Sequence, residues 1–417
     1  MSQVTSGWRE GAAAGPGQGF PPATVELMSA LLAEAGSLAH EAHRLLSPVA
    51  SSRSRLRERL LAEGQVLPFP HHAAALVPRH SIAAVDGGSV REHLYAADLM
   101  VAVAVAAEGM TSTGGHELSQ HHWAHVREHE SENDRLLSAA MATLELRLLA
   151  DLSHDLRILD GSHGTPVIAL STALAARSSA VADAAAELVD DEVVAALASL
   201  ADPDQRAHPG EVVALPKADS AHAFAELYRA RYGLDLPGGD RFLAAQVLRP
   251  GEMLRPRPAD EVAGMHFTAR DDASAAVHRA AGRLNGAVAP LREAAQEALL
   301  LVTYVKPATS DTVLKVELRV SEPLPDTASG ASSTALAEAQ RLAGLLSAET
   351  PGPHLQEPFA QYAVDLAAKS VSVGAEALNQ SMIAMLPPGS DDYLTLLARS
   401  YRTAGGGGGG RAPRAGG

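Results

Sequence analysis

The chain reads as an α/β protein: a mixed β-sheet flanked by helices, with additional helical segments. Short apolar, β-branched runs such as "SIAAVDGGSV", "DLRILDGS" and "EVVALPKADS" recur between long Ala-Leu-rich stretches. Hydrophobic residues make up 46% of the chain but aromatics only 4%, so Ala, Leu and Val must build the core, a composition that favours helix. Strand-like and helix-like segments interleave along the chain, which is the order of a mixed-sheet domain.

At 417 residues the length admits one large domain or two ordinary ones, and no repeat or strong linker divides it. Residues 1–22, rich in Gly, Ala and Pro, read as a disordered leader, and residues 404–417, "AGGGGGGRAPRAGG", as a Gly-rich disordered tail. Residues 24–403 are expected to form the folded domain. The absence of cysteine removes disulfides, thiolate zinc sites and cysteine nucleophiles, and fits a reducing interior. No window offers eighteen uninterrupted apolar residues, and no basic-then-apolar signal pattern opens the chain. The expectation is a soluble, cytoplasmic protein without membrane contact. A net charge of −15 argues against a simple electrostatic DNA binder. It leaves room for a nucleic-acid enzyme whose acidic site holds metal ions that meet the phosphates.

The elements follow in order. Thr24 to Glu63 is helical by pattern, with a polar break near Ser47–Ser54. Its Arg53, Arg55, Arg57 and Arg59 form either a solvated helix face or a phosphate-binding patch. "SIAAVDGGSV" is a short strand ending at Asp86, and Ala97–Gly109 is a second, well-buried strand. The His-rich "GGHELSQHHWAHVREHE" leads into a long helix ending near Leu152. "DLRILDGS" is a strand ending at Asp160, and "EVVALPKADS" a later one followed by a polar turn around Lys217. A helix over Ala273–Leu300 precedes a strand pair, "LLLVTYVKP" and "TVLKVELRV", joined across "ATSD". Two further helices are expected at about Ser332–Ala348 and Pro358–Leu378.

Glu145 sits awkwardly in the long helix, since its helical neighbours are Met141, Ala142, Leu148, Leu149 and Leu152. An unpaired carboxylate on an apolar face is costly, so it either snorkels, pairs with Arg147 or Arg157, or serves a purpose. The order is Asp at one strand end, Glu on a long helix, then Asp at another strand end. If the two strands are neighbours and the helix packs across them, three carboxylates converge. Such a group demands protonation or metal, and hard oxygen ligands select Mg²⁺ or Mn²⁺. This Asp–Glu–Asp order is the one used by ribonuclease H-like nucleases.

With these motifs the chain resembles the NurA family of DNA double-strand-break repair nucleases. "AAVDGGS" is similar to that family's opening metal-ligand motif, "LDGSH" to its second Asp motif, and Glu145 to its helix glutamate. "VVALPKADS" resembles the strand that ends on a lysine, here Lys217, and "TYVKPATSDTVLKVELRV" resembles the paired strands of the C-terminal half. "EPFAQYAVDLAAK" aligns Pro358 and Asp365 with the last motif, but Glu357 stands where the family carries tyrosine. That tyrosine's role is then vacant, moved, or taken by Tyr362 or Tyr304. The resemblance implies a ribonuclease H-like fold and metal-dependent DNA cleavage, as a 5′-to-3′ exonuclease and on single strands. It also implies a homodimer working with a HerA-like hexameric ATPase that translocates DNA. Asp86 would bridge two Mn²⁺ or Mg²⁺ ions, Glu145 and Asp160 would hold one, and Asp365 the other. Lys217 would contact a phosphate.

Other readings compete. His116, His121, His122, His125 and His129 suggest zinc, because His121 and His125 share the spacing of one helix face, as do His125 and His129. A solvated, His-rich helix start, or a lining of the DNA path, explains them too. Ser89 and Ser162 are candidate phosphate or carboxylate donors, or simply turn residues. "VLRPGEMLRPRP", with Arg249, Arg255 and Arg257, is a Pro-rich surface loop or a partner contact. "DGGS" also suits the phosphate loop of an actin-like ATPase or kinase, though no second copy of that loop is evident. A catalytically weak adaptor subunit of a translocase complex is the non-enzymatic alternative.

Overall fold

The computed structural model describes residues 22–70, 80–110, 118–217, 221–233, 238–325 and 333–386. The expected tail, and the expected leader apart from residue 22, lie outside them. So does His116. The strands are β1 (Val66–Pro68), β2 (Ile82–His93), β3 (Asp98–Glu108), β4 (Leu118–Arg127), β5 (Leu156–Asp160), β6 (Glu211–Leu215), β7 (Glu252–Leu254), β8 (Arg257–Pro258), β9 (Leu300–Lys306) and β10 (Leu314–Arg319). All join one sheet in the order β1-β7-β9-β10-β6-β5-β2-β3-β4, with β8 paired to β9. Among the described residues, the β2–β5 and β5–β6 pairs are parallel and the remaining pairs antiparallel. The chain is therefore α/β with a mixed sheet, as its patterning predicts.

Helices α1 (Pro22–Ala33) and α2 (Ala35–Ala62) precede the sheet, and α3 (Asn133–Asp151) links β4 to β5. Between β5 and β6 come α4 (Thr165–Leu174), α5 (Ser179–Leu188) and α6 (Asp191–Ala201), which the sequence patterning left unassigned. Ser178 and Asp190 start α5 and α6 by accepting from backbone N–H groups two or three residues into the helix, the usual N-cap arrangement. Then follow α7 (Ala223–Tyr232), α8 (Asp240–Val247), α9 (Asp260–Ala263), α10 (Ala275–Gln296), α11 (Thr334–Ala348), α12 (Phe359–Ala368) and α13 (Val371–Ala384).

Side chains alternate across a strand, and the two faces of the sheet feed separate cores. Ala83, Val85 and Leu159 pack with α3, α4, α5, α6 and α10, whereas Ile82, Ala84 and Ile158 pack with α11 and α12. A third cluster joins Leu56 and Leu60 of α2 to α7, α8 and Tyr304.

Several expectations are corrected. β2 does not end at Asp86 but runs on to His93, paired residue for residue with β3. "DGG" is thus strand interior, not a turn, and Ser89 lies exposed within it, opposite Ala102. The His-rich stretch is β4, not a helix start, so the one-face helical spacing of His121 and His125 does not arise. The polar break near Ser47–Ser54 is absent, since α2 runs through it and the interruption comes at Glu34. The helix expected over Pro358–Leu378 is two helices, α12 and α13. "VLRPGEMLRPRP" holds β7 and β8 and is no simple loop, with Arg257 lying over the Phe224 ring at 5.3 Å. Within the arginine group, Arg57 is not a free phosphate contact but bonds both carboxylate oxygens of Glu252, at 2.6 and 2.7 Å.

Candidate active site

The site forms where the parallel centre of the sheet meets its antiparallel wing. The last parallel pair of β2 and β5 is Val85 with Leu159, and Asp86 and Asp160 come one step beyond it. Both face the layer that holds α12. Asp86 keeps a hydrogen bond from the Gly87 N–H, at 2.8 Å, and is buried.

Glu145 reaches the same place from the opposite layer. It lies on α3 and is buried, and its way in is opened by Gly87, where an added Cβ would overlap the Glu145 Oε1 and crowd Met141. At Gly88 an added Cβ would overlap the backbone oxygen of Ala368, the last residue of α12. Consecutive glycines thus admit a helix on each face of β2. Neither arginine weighed as a partner for Glu145 serves it: Arg147 pairs with Asp190 and Glu192, and Arg157 is held by backbone carbonyls.

α12 supplies the other half. Asp365 lies 2.7 Å from the Lys217 ammonium, which also stands 3.1 Å from Asp160, 3.5 Å from Asp86 and 3.6 Å from Glu357. Lys217, two residues past β6 and partly exposed, is ringed by carboxylates. Asp365 is shared with Lys369, one helical turn on. Gln361, which the sequence patterning missed, is buried and donates to Asp160 Oδ1 at 2.7 Å and to the Leu215 carbonyl at 3.2 Å. Its signal was there: Glu357, Gln361 and Asp365 recur at intervals of four, the spacing of one helix face. Of the tyrosines named for the missing family position, Tyr304 is fully buried in another cluster, while Tyr362 is exposed on α12. Ser162 is a turn residue: its N–H and hydroxyl both meet Thr165 Oγ1, at 2.9 and 3.0 Å, at the start of α4.

The electrostatics follow from burial. Asp86 is pushed up to about 7, first by burial and then by the charge of Asp160. Glu145 is raised well above the usual glutamate range by burial, then by Asp86 and Asp160. Glu357 is raised by burial, with Asp365 and Asp160 adding to it against the pull of Lys217. Burial works the same way on Asp365, but hydrogen bonds from Lys217 and Lys369 outweigh it and its carboxyl titrates low. Burial disfavours the Lys217 cation too, yet Asp160, Asp365, Asp86 and Glu357 more than offset it, and the ammonium persists above the ordinary lysine range. Lys217 and Lys369 together do not neutralise Asp86, Glu145, Asp160, Glu357 and Asp365. An all-oxygen donor set with raised carboxyls, already gathering a cation, fits a hard divalent ion.

The architecture and the site define an α/β domain with carboxylates gathered at the centre of a mixed sheet. Its fold is that of the NurA nucleases. The NurA nuclease from Sulfolobus solfataricus matches over 87% of this chain and 99% of its own, with a TM-score of 0.50 and 11% sequence identity. A NurA structure with manganese matches over 84% and 99%, at a TM-score of 0.47 and 11% identity. No family model and no curated protein sequence matches the chain.

Proposed function

We propose that the chain is a metal-dependent DNA nuclease that hydrolyses phosphodiesters at the Asp86–Glu145–Asp160–Asp365 cluster. One observation carries the reading: acids from β2, β5 and both helical layers share one place, where burial and mutual repulsion keep them from ionising together without added cations. The fold shared with a NurA nuclease agrees with it.

On this reading Asp86, Glu145, Asp160 and Asp365 would hold Mn²⁺ or Mg²⁺, with Asp86 common to two ions, Glu145 and Asp160 serving one, and Asp365 the other. Such ions would supply an activated water and charge stabilisation for a phosphodiester. The chain's own part is positioning. Gln361 fixes the orientation of the Asp160 carboxylate. Gly87 lets Glu145 lie against β2. Lys217 holds positive charge at the mouth of the site and serves a phosphate oxygen as a point charge. Glu357, where a tyrosine was expected, adds a carboxylate to the ring around Lys217.

By the same reading the enzyme trims DNA ends 5′ to 3′ and cuts single strands, as a homodimer alongside a HerA-like hexameric translocase. The test is end-labelled linear and single-stranded DNA with Mn²⁺, Mg²⁺ or EDTA, comparing the wild type with Asp86→Ala and Asp160→Ala. Cleavage that requires metal and disappears in both variants is expected. Cleavage that persists in either variant rejects the assignment.

A further inference from the structure

A second constellation lies at the far end of β2. His93 lies seven positions beyond Asp86, about 23 Å along an extended strand. There β2 turns into β3 through a hairpin closed by Leu94 N–H to the Ala97 carbonyl at 2.9 Å. His93 ends β2, Asp98 begins β3 directly opposite it, and Asp98 pairs in turn with Arg127 of β4. His129 follows two residues later.

These residues converge on one atom. His93 Nδ1 lies 2.7 Å and His129 Nδ1 2.9 Å from the same oxygen, Asp98 Oδ1. Among the described residues, this is the group of His, Asp and Glu whose ligand atoms all lie within 4.8 Å of one another. The other carboxylate oxygen is held from behind: Asn133, buried at the start of α3, donates to Asp98 Oδ2 at 2.7 Å. Arg91 stands 4.0 Å from that oxygen and is nearer Asp134, at 3.2 Å. The carboxylate is oriented and fully buried, while both imidazoles are partly open to solvent, each side chain 42% exposed.

We propose that His93, Asp98 and His129 form a metal site of the zinc class, separate from the carboxylate cluster, that clips the β2–β3 hairpin to the segment leading into α3. Two imidazoles and one carboxylate are a borderline-soft donor set, which suits zinc over Mg²⁺ or Mn²⁺. Zinc ligands in a tetrahedron stand roughly 3.3 Å apart, so the rings retreat by only about half an ångström to admit the ion. The open side leaves a fourth position for water. Asn133 plays the outer part, orienting the carboxylate as hydrogen-bonding partners of metal ligands do. Because Asn133 is the first residue of α3, the ion fastens the helix that carries Glu145.

The experiment uses the full chain without a histidine tag, stripped with EDTA and titrated with Zn²⁺ against a chromophoric chelator, with thermal melts in parallel. Three proteins are compared: wild type, Asp86→Asn/Asp160→Asn, and His93→Ala/His129→Ala, whose exposed rings can be removed without opening a core. The wild type and the acid variant are expected to bind one tight Zn²⁺ and melt higher with it. The histidine variant is expected to bind it at least about tenfold more weakly and to show no rise. Equal Zn²⁺ affinity in the histidine variant and wild type overturns the site, as does a wild-type melt that Zn²⁺ leaves unmoved. Nuclease activity has no bearing on either outcome.

Discussion

Gly87 faces Glu145 with only a hydrogen where any other residue would carry a Cβ in contact with the carboxylate. A carboxylate on an apolar helix face keeps its place only if the strand beside it makes room. Gly87→Ala is expected to displace Glu145 and Met141 at a cost of about 1–3 kcal/mol, the usual penalty for overpacking. Cleavage should fall further than the melting temperature accounts for. If the folded variant cleaves DNA at the wild-type rate, Glu145 does not need this seat.

The metal-free protein should lose stability as pH rises. Asp86 moves from an ordinary 3.8 to about 7 on folding, so between these values the folded state binds more protons than the unfolded one. Stability is greatest below pH 4 as far as this group is concerned, declines through the interval, and levels off above 7; Glu145 acts in the same direction. Melts in EDTA from pH 5 to 8 should show the decline, and Asp86→Asn should flatten it. Added Mn²⁺ should shrink it as well, because a cation favours the charged carboxylates. A profile in EDTA that rises over this range contradicts the assigned burial of Asp86.

Gln361→Leu removes the donor that fixes Asp160 and leaves the Leu215 carbonyl short of a partner. Loss of such an orienting bond typically weakens metal affinity or activity by roughly 10–100-fold. Isothermal titration with Mn²⁺ reads the first and end-labelled DNA the second. Unchanged values in both would make Gln361 a packing residue only.

Lys217→Met takes away the cation that Asp86, Asp160, Glu357 and Asp365 share. The variant is expected to melt lower than wild type in EDTA, and to gain more than wild type when Mn²⁺ is added, since metal then supplies the charge that Lys217 gave Asp86, Asp160 and Glu357. It should nonetheless cleave poorly for want of a phosphate contact. A Mn²⁺-induced gain no larger than wild type's would mean that Lys217 does not stand in for metal charge.

Much of the site could be read from local chemistry. A strand that stops on Asp160 before a turn, and a glutamate out of place on an Ala-Leu helix, are visible without coordinates. β2 was harder, because Asp-Gly-Gly usually marks a turn and here marks an interior crowded from both sides. β4 is hard to read from sequence because its histidines and alternating polar residues carry little apolar signal, and pairing with β3 decides its form. The four-residue spacing of Glu357, Gln361 and Asp365, running into α12, is legible in the sequence, and the gathering of acids around Lys217 is a tertiary fact that spacing alone does not encode.

Two adjacent glycines make the sheet locally as thin as a single peptide. Acids borne by opposite layers address one another through that aperture, so neither layer is free to drift. A slip of either α3 or α12 by one turn, about 5.4 Å, would carry its carboxylate past the opening. At this aperture the two sides of the protein must keep common registration.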